Sequence, residues 1–187
     1  MLEHGVKPGD TLAVWLPDNA EKHVILFAAA KAGFKVADLD LSLTSVSEVR
    51  EMLTAAQPKV LYFHTQLGET DYVKLLRKSI PEFFYYDDSA GQMFHSKYFP
   101  ALRYFVQMGL DNEVGVLNFK ELFLLDPPIS YVEEAAKHVK DDTPLYVQVK
   151  KEGSKVQASK VVTHAEATSV ASLAFAQKIA SGQYFEV

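Results

Sequence analysis

The stretch YVQVKKEGSKVQASKVVTH, Tyr146 to His164, holds the residues best placed for chemistry. An apolar run, a small-residue turn and a second apolar run closed by Thr163-His164 have the frame of a phosphate-binding loop. Such a loop works through glycines and hydroxyls that let backbone N–H groups converge on an anion, with a lysine adding charge. Here the filling is Gly153 with Glu152, Lys150, Lys151, Lys155 and Lys160. The lysines attract phosphate. A Cβ atom at the turning positions opposes the close approach and positive φ that glycine allows, and Glu152 repels a polyphosphate, each effect being worth about 1 kcal/mol or more. Two further roles fit a basic hairpin on this chain: a solvated sheet edge that resists aggregation, and a contact with an acidic partner or an anionic lipid surface.

Other residues with chemical potential are scattered. Asp38 and Asp40 have the period-2 spacing that places two carboxylates on one side of a strand, either for acid–base work or as a solvated strand end. Asp87-Asp88 and Asp141-Asp142 are adjacent, point in different directions, and read as loop charge or helix caps. The histidines, His4, His23, His64, His95, His138 and His164, lack a metal-ligand spacing such as H-E-x-x-H. No catalytic, cofactor-binding or metal-binding residue is assigned on these grounds.

The elements that would position these groups alternate regularly. The chain has 187 residues, 48% hydrophobic and 23% charged, enough for one domain with a substantial core. Its net charge of −5 argues against a nucleic-acid partner. With no cysteine, it can form neither disulfides nor thiolate sites. No apolar run is long enough to span a bilayer. The opening MLEHGVKPGD reads as the end of a helix and its turn, so a preceding segment is expected. TLAVWLP reads as a buried strand. The next helix is capped by Asp18 or Asn19 and closed by Gly33, with an apolar face including Val24, Phe27, Ala28 and Ala32. FKVADLDL is the next strand, followed by a helix capped at Thr44 or Ser45 with Glu48 in its first turn. KVLYFH is a third strand, ETDYVKLLRKSI a helix and EFFYYDD a strand. HSKYFPALRYFVQMG offers a helix start and a strand at 103–107. NFKELFLL is a short helix, PPISYVEEAAKHV a proline-led one. TPLYVQVKKEGSKVQASKVVTH reads as a β-hairpin turning near Glu152-Gly153-Ser154, and AEATSVASLAFAQKIA as a terminal helix over 165–181. The alternation predicts an α/β fold, a mostly parallel sheet flanked by helices, with a β-hairpin near 145–163. Residues 89–112 are the best candidate for a loop insert within a single unit spanning 1–187.

Several segments, in the same order, resemble the adenylate-forming, AMP-binding enzymes that include the acyl-CoA synthetases. They are MLEHGVKPGDTLAVWLPDN, FAAAKAGF, DLDLSLTSVSEVREMLTAAQPKVL, YFPALRYFVQMG, NFKELF and DDTPLYVQ. The resemblance covers essentially the whole chain and implies a partial N-terminal subdomain of that fold, since complete members are much longer. In that family the signature loop reads roughly Y-T-S-G-T-T-G-x-P-K-G-V-x-x-T-H. Without a gap, Val149 falls on the tyrosine and Lys150, Lys151 and Glu152 on Thr-Ser-Gly. Gly153 and Ser154 fall on the two threonines, Lys155 on the second glycine, Gln157 on the proline, Ala158 on the lysine and Ser159 on the last glycine. Only Thr163-His164 and the apolar frame match.

The resemblance therefore implies the family's fold without its reaction. Complete members carry their adenine, ribose and magnesium residues, and a mobile lid, downstream of this loop. A short chain of this kind is similar to accessory subunits of mitochondrial ATP synthases in euglenozoan protists. That implies a non-catalytic structural subunit, with other protein subunits as partners, no cofactor, and a mitochondrial location (otherwise cytoplasmic). Two alternatives stay open: an acyl- or nucleotide-binding regulatory module, and half of a two-chain acyl-CoA ligase.

Overall fold

Parallel strands covered on both faces must be apolar along their whole length, and the first strand obeys this. β1 (Thr11–Trp15) is buried at every position. The computed structural model describes residues 1–87, 93–109, 112–123, 128–153 and 155–167. Over these, β1 is flanked by β2 (Lys35–Leu39) and β3 (Val60–Phe63), both parallel to it. β6 (Tyr104–Gln107) adds to β3, and β7 (Leu117–Asn118) to β6. On the other side, β8 (Pro144–Glu152) runs parallel to β2. β9 (Lys155–Ala158) and β10 (Val162–Thr163) pair antiparallel with β8, so the order is β10-β8-β2-β1-β3-β6-β7 with β9 also on β8. β4 (Gln66–Leu67) and β5 (Thr70–Asp71) make a separate small ribbon. The expected mixed α/β sheet is thus formed.

Helices close both faces. α1 (Ala20–Ala32) and α5 (Ile129–Ala136) lie over Leu12, Val14, Val36 and Val60. α2 (Val46–Ala56), α3 (Tyr72–Ser79) and α4 (Pro81–Phe84) lie over Ala13, Trp15, Leu61, Phe63 and Phe105. Trp15 meets Tyr72 edge-on at 4.6 Å, and Phe83 stacks on Phe105 at 4.1 Å. Burying each such ring stabilises the fold by about 1.5–3 kcal/mol. Local signals set the boundaries. The Asn19 side chain caps α1, and Ser45 and Glu48 form a reciprocal capping box at α2. Gly33 ends α1 in the left-handed conformation, where a side chain would be strained.

Three expectations need correction. The apolar face of α1 is Ile25, Ala29 and Ala32, while Val24, Phe27 and Ala28 are exposed. The helix is apolar nearly all round, so its periodicity allowed two faces. The sheet takes the one whose alanines permit close approach and whose first turn places Lys22 beside Asp38. EFFYYDD is not a strand: Pro81 opens the single turn of α4, and Phe83 plugs into Phe94 and Phe105. The helix start read in HSKYFPALRYF is absent. Ser96 instead accepts the N–H groups of Tyr98 and Phe99 in an irregular segment. The opening residues form a 3-10 turn, Leu2–His4. NFKELFLL is a 3-10 turn at Phe119–Phe123, its last residues lying outside the described ones. The terminal helix read over 165–181 falls there beyond residue 167, as do Asp88 and Ser154.

Candidate functional site

In open α/β sheets ligands bind beyond the carboxyl ends of the strands. Asp38, Asp40, His64 and the β8–β9 hairpin are all found at that end. The hairpin is a regular ladder: Val149 faces Ala158, Lys150 faces Gln157, Lys151 faces Val156 and Glu152 faces Lys155. Gly153 turns it with φ of 65°. This geometry decides what the backbone can do. In a strand successive N–H groups point to opposite sides, whereas an anion nest needs consecutive ones to converge. Val156 N–H, on the outer side of the ladder, is taken by a Glu51 carboxylate oxygen at 3.2 Å.

Most of the hairpin lysines also have partners. Lys151 meets Glu48 at 2.8 Å, Lys150 meets Glu152 at 3.5 Å, and Lys160 meets Glu166 at 3.0 Å. Lys155 makes no ion pair among the described residues. The bond from Lys151 holds the Glu48 carboxyl down at about 2, with further hydrogen bonds from Ser45 acting the same way. Glu48 and Glu51 of α2 therefore hold the hairpin arm against their own helix. The sequence places Glu48 in the first turn of its helix and shows no partner for it. Nothing local shows its second role, because the two residues it joins lie 103 positions apart.

Asp38 and Asp40 do not work as a pair. Asp38 takes the Lys22 ammonium at 2.7 Å on one oxygen and the Tyr146 hydroxyl at 2.5 Å on the other. Burial, reinforced by this carboxylate, pushes the Tyr146 phenol up, so it is a held donor and a poor nucleophile. Asp40 accepts Ser42 N–H, and its carbonyl takes the Trp15 indole. Nearby, Asn19 and His64 sit 3.5 Å apart, and Asp18 meets His23 at 2.8 Å. Burial lowers the His64 pKa against the opposing pull of Glu21. Thr163-His164, the matching end of the loop pattern, starts a helical turn. Thr163 N–H bonds to Glu166 and Glu166 N–H returns to the Thr163 hydroxyl, while His164 N–H goes to the Thr143 carbonyl. Desolvation lowers the His164 pKa. Among the described residues no group of three His, Asp or Glu could hold a metal, and no helix is long and apolar enough to cross a membrane.

A mostly parallel sheet flanked by helices, with a strand–turn–strand at its carboxyl end, places the chain among α/β folds. The sequence profile of the AMP-binding enzymes matches residues 1–148, and the chain belongs to that family. The match ends inside β8, immediately before the ladder residues Val149 to Ala158. Solved structures with the same fold include a chain assigned as a long-chain-fatty-acid CoA ligase from Rhodopseudomonas palustris CGA009 (TM-score 0.60, 16% identity, 87% of this chain and 34% of that one). A benzoate CoA ligase from Burkholderia xenovorans LB400 gives 0.59, 15%, 92% and 28%. The anthranilate CoA ligase AuaEII, solved with anthranoyl-AMP, gives 0.56, 15%, 87% and 25%. The chain thus spans about a quarter to a third of the length of these ligases. A search of curated proteins finds no significant match.

Proposed function

We propose that this chain is a non-catalytic member of the AMP-binding family, a scaffold that serves assembly with other protein subunits. One observation carries the reading: the segment that cradles phosphate in this family is here a plain β-ladder, with side chains where glycines are needed and with Glu48 and Glu51 of the same chain on its Lys151 and Val156. A triphosphate would have to displace those carboxylates and would still lack convergent amides. The setting we propose is a mitochondrial membrane complex of the ATP synthase kind, on the resemblance of this short chain to accessory subunits of euglenozoan enzymes.

Isothermal calorimetry with ATP, AMP and an acyl-CoA tests the loss of site. The expected Kd is weaker than about 1 mM, or roughly 4 kcal/mol of binding. Micromolar binding would show a surviving pocket and favour the regulatory-module reading. The native protein is expected to run in a complex well above its 20.9 kDa chain mass; a free monomer would end the assembly reading. A second reading, half of a two-chain ligase, is favoured by the fraction of a ligase that this chain spans. It requires pyrophosphate release from ATP and a fatty acid in the native complex.

A further inference from the structure

We propose that the surface formed by α3 and α4 docks an acidic segment of a partner polypeptide, one that carries apolar side chains between its carboxylates. The inference rests on the assembly reading above and names the face through which assembly occurs. α3 buries Tyr72, Val73, Leu76 and Ser79, which leaves Lys74 and Lys78, one turn apart, on its outer side. Like charges at this spacing repel, and neither lysine makes an ion pair among the described residues. Asp71, Glu82 and Glu113 each bond within this chain, Glu82 through one oxygen only, its other oxygen being buried without a partner among the described residues. Asp71 caps α3 through Lys74 N–H, Glu82 accepts Lys97 N–H, and Glu113 pairs with Arg77 at 3.2 Å. The positive charge here is therefore uncommitted, in contrast with most of the hairpin lysines.

Apolar area lies beside it. Phe84 is 64% exposed and touches Tyr85, itself 84% exposed, with ring centres 5.1 Å apart. Phe84 also lines a groove of about 550 Å³ with Lys74, Arg77 and Lys78; the two carboxylates of the groove, Asp71 and Glu113, are the ones that bond to Lys74 N–H and to Arg77. Tyr98, 69% exposed, and Met93 stand on the segment fixed to α4 by the Glu82–Lys97 bond and the Phe83–Phe94 ring contact. Exposed Phe and Tyr in contact, with Arg, Met and a second Tyr on the adjoining elements, have the composition of an interface core. The free lysines set the sign of its complement. On the opposite face of the sheet, α1 exposes apolar residues without comparable evidence for what would cover them.

Photo-crosslinking in native cells tests this, with benzoylphenylalanine in place of Phe84 and, as control, of Val24 on α1. The expected adduct at position 84 is a polypeptide whose crosslinked stretch is rich in Asp and Glu. Its yield should fall about fivefold or more in K74E/K78E, with K74Q/K78Q as the milder version should the reversal impair folding. Irradiating a native extract brought beforehand to about 0.5 M salt, where the Debye length is only a few ångströms, should also lower the yield. Four results would overturn the proposal: no adduct above the Val24 control, a crosslinked stretch without acidic residues, lipid as the only adduct, or a yield indifferent to both lysine changes. Failure here leaves the assembly reading standing, whereas tight ATP binding would remove that reading whatever the crosslinks show.

Discussion

The β1–α1–β2–α2–β3 unit and the β8–β9 hairpin meet at the same end of the sheet, yet they are held by different forces. The unit is held by rings and aliphatic chains shielded from water, and Lys22–Asp38, the least exposed of its ion pairs among the described residues, has only 14% and 13% of its side chains exposed. Beyond Val149 and Val156 the hairpin is held by charges at the surface, where water and salt weaken them. A scaffold of the first kind tolerates rewriting of a segment of the second kind. On the proposed reading, this is how the family's fold persists here with a different loop.

The contrast breaks most visibly in the core. Phe83→Ala and Trp15→Ala are each expected to cost about 3–5 kcal/mol in urea unfolding, because both side chains are fully buried. Asp38→Ala comes next. It leaves the Lys22 ammonium and the Tyr146 hydroxyl without their acceptor, for about 2 kcal/mol, below the loss at a fully buried pair because water reaches both partners. A loss as small as that of a surface pair would mean that the unit and the hairpin do not differ in kind. Glu48→Gln should leave the global unfolding midpoint unchanged and speed hydrogen exchange in residues 150–157 alone. Acid should act in the same way. The Glu48 carboxyl sits at about 2 in the folded chain against an ordinary 4.5, so its contribution is fully present above 4.5 and is lost as pH falls through about 2. Hairpin protection factors, taken against the intrinsic exchange rate at each pH, should therefore fall over that interval, before those of the core. Phe84→Ala is the smallest change, within about 0.5 kcal/mol, since its ring is exposed; a larger loss would place that ring in the core.

Much of the scaffold was legible because its signals are local. The capping box at Ser45 and Glu48, the glycine after α1, and the apolar run of β1 each act within a few residues. The face of α1 was not legible, because a helix with apolar residues on every side carries no unique phase. The Glu82–Asp88 aromatics read as a strand by composition, and packing of Phe83 between Phe94 and Phe105 overrode that preference. In the candidate site the scarcity of glycine, Gly153 alone between Tyr146 and His164, was plain from the sequence. The partners were not: Lys22 with Asp38, Tyr146 with Asp38, and Glu48 with Lys151 are brought together only by the sheet order.

That order has a consequence for biosynthesis. β8 lies beside β2, although Tyr146 follows its partner Asp38 by 108 residues. While the chain leaves the ribosome, β2 therefore presents an unpaired, apolar edge until nearly the whole described sequence has emerged. Nascent chains stalled before residue 144 should be the species that chaperones retain, and release should coincide with arrival of β8.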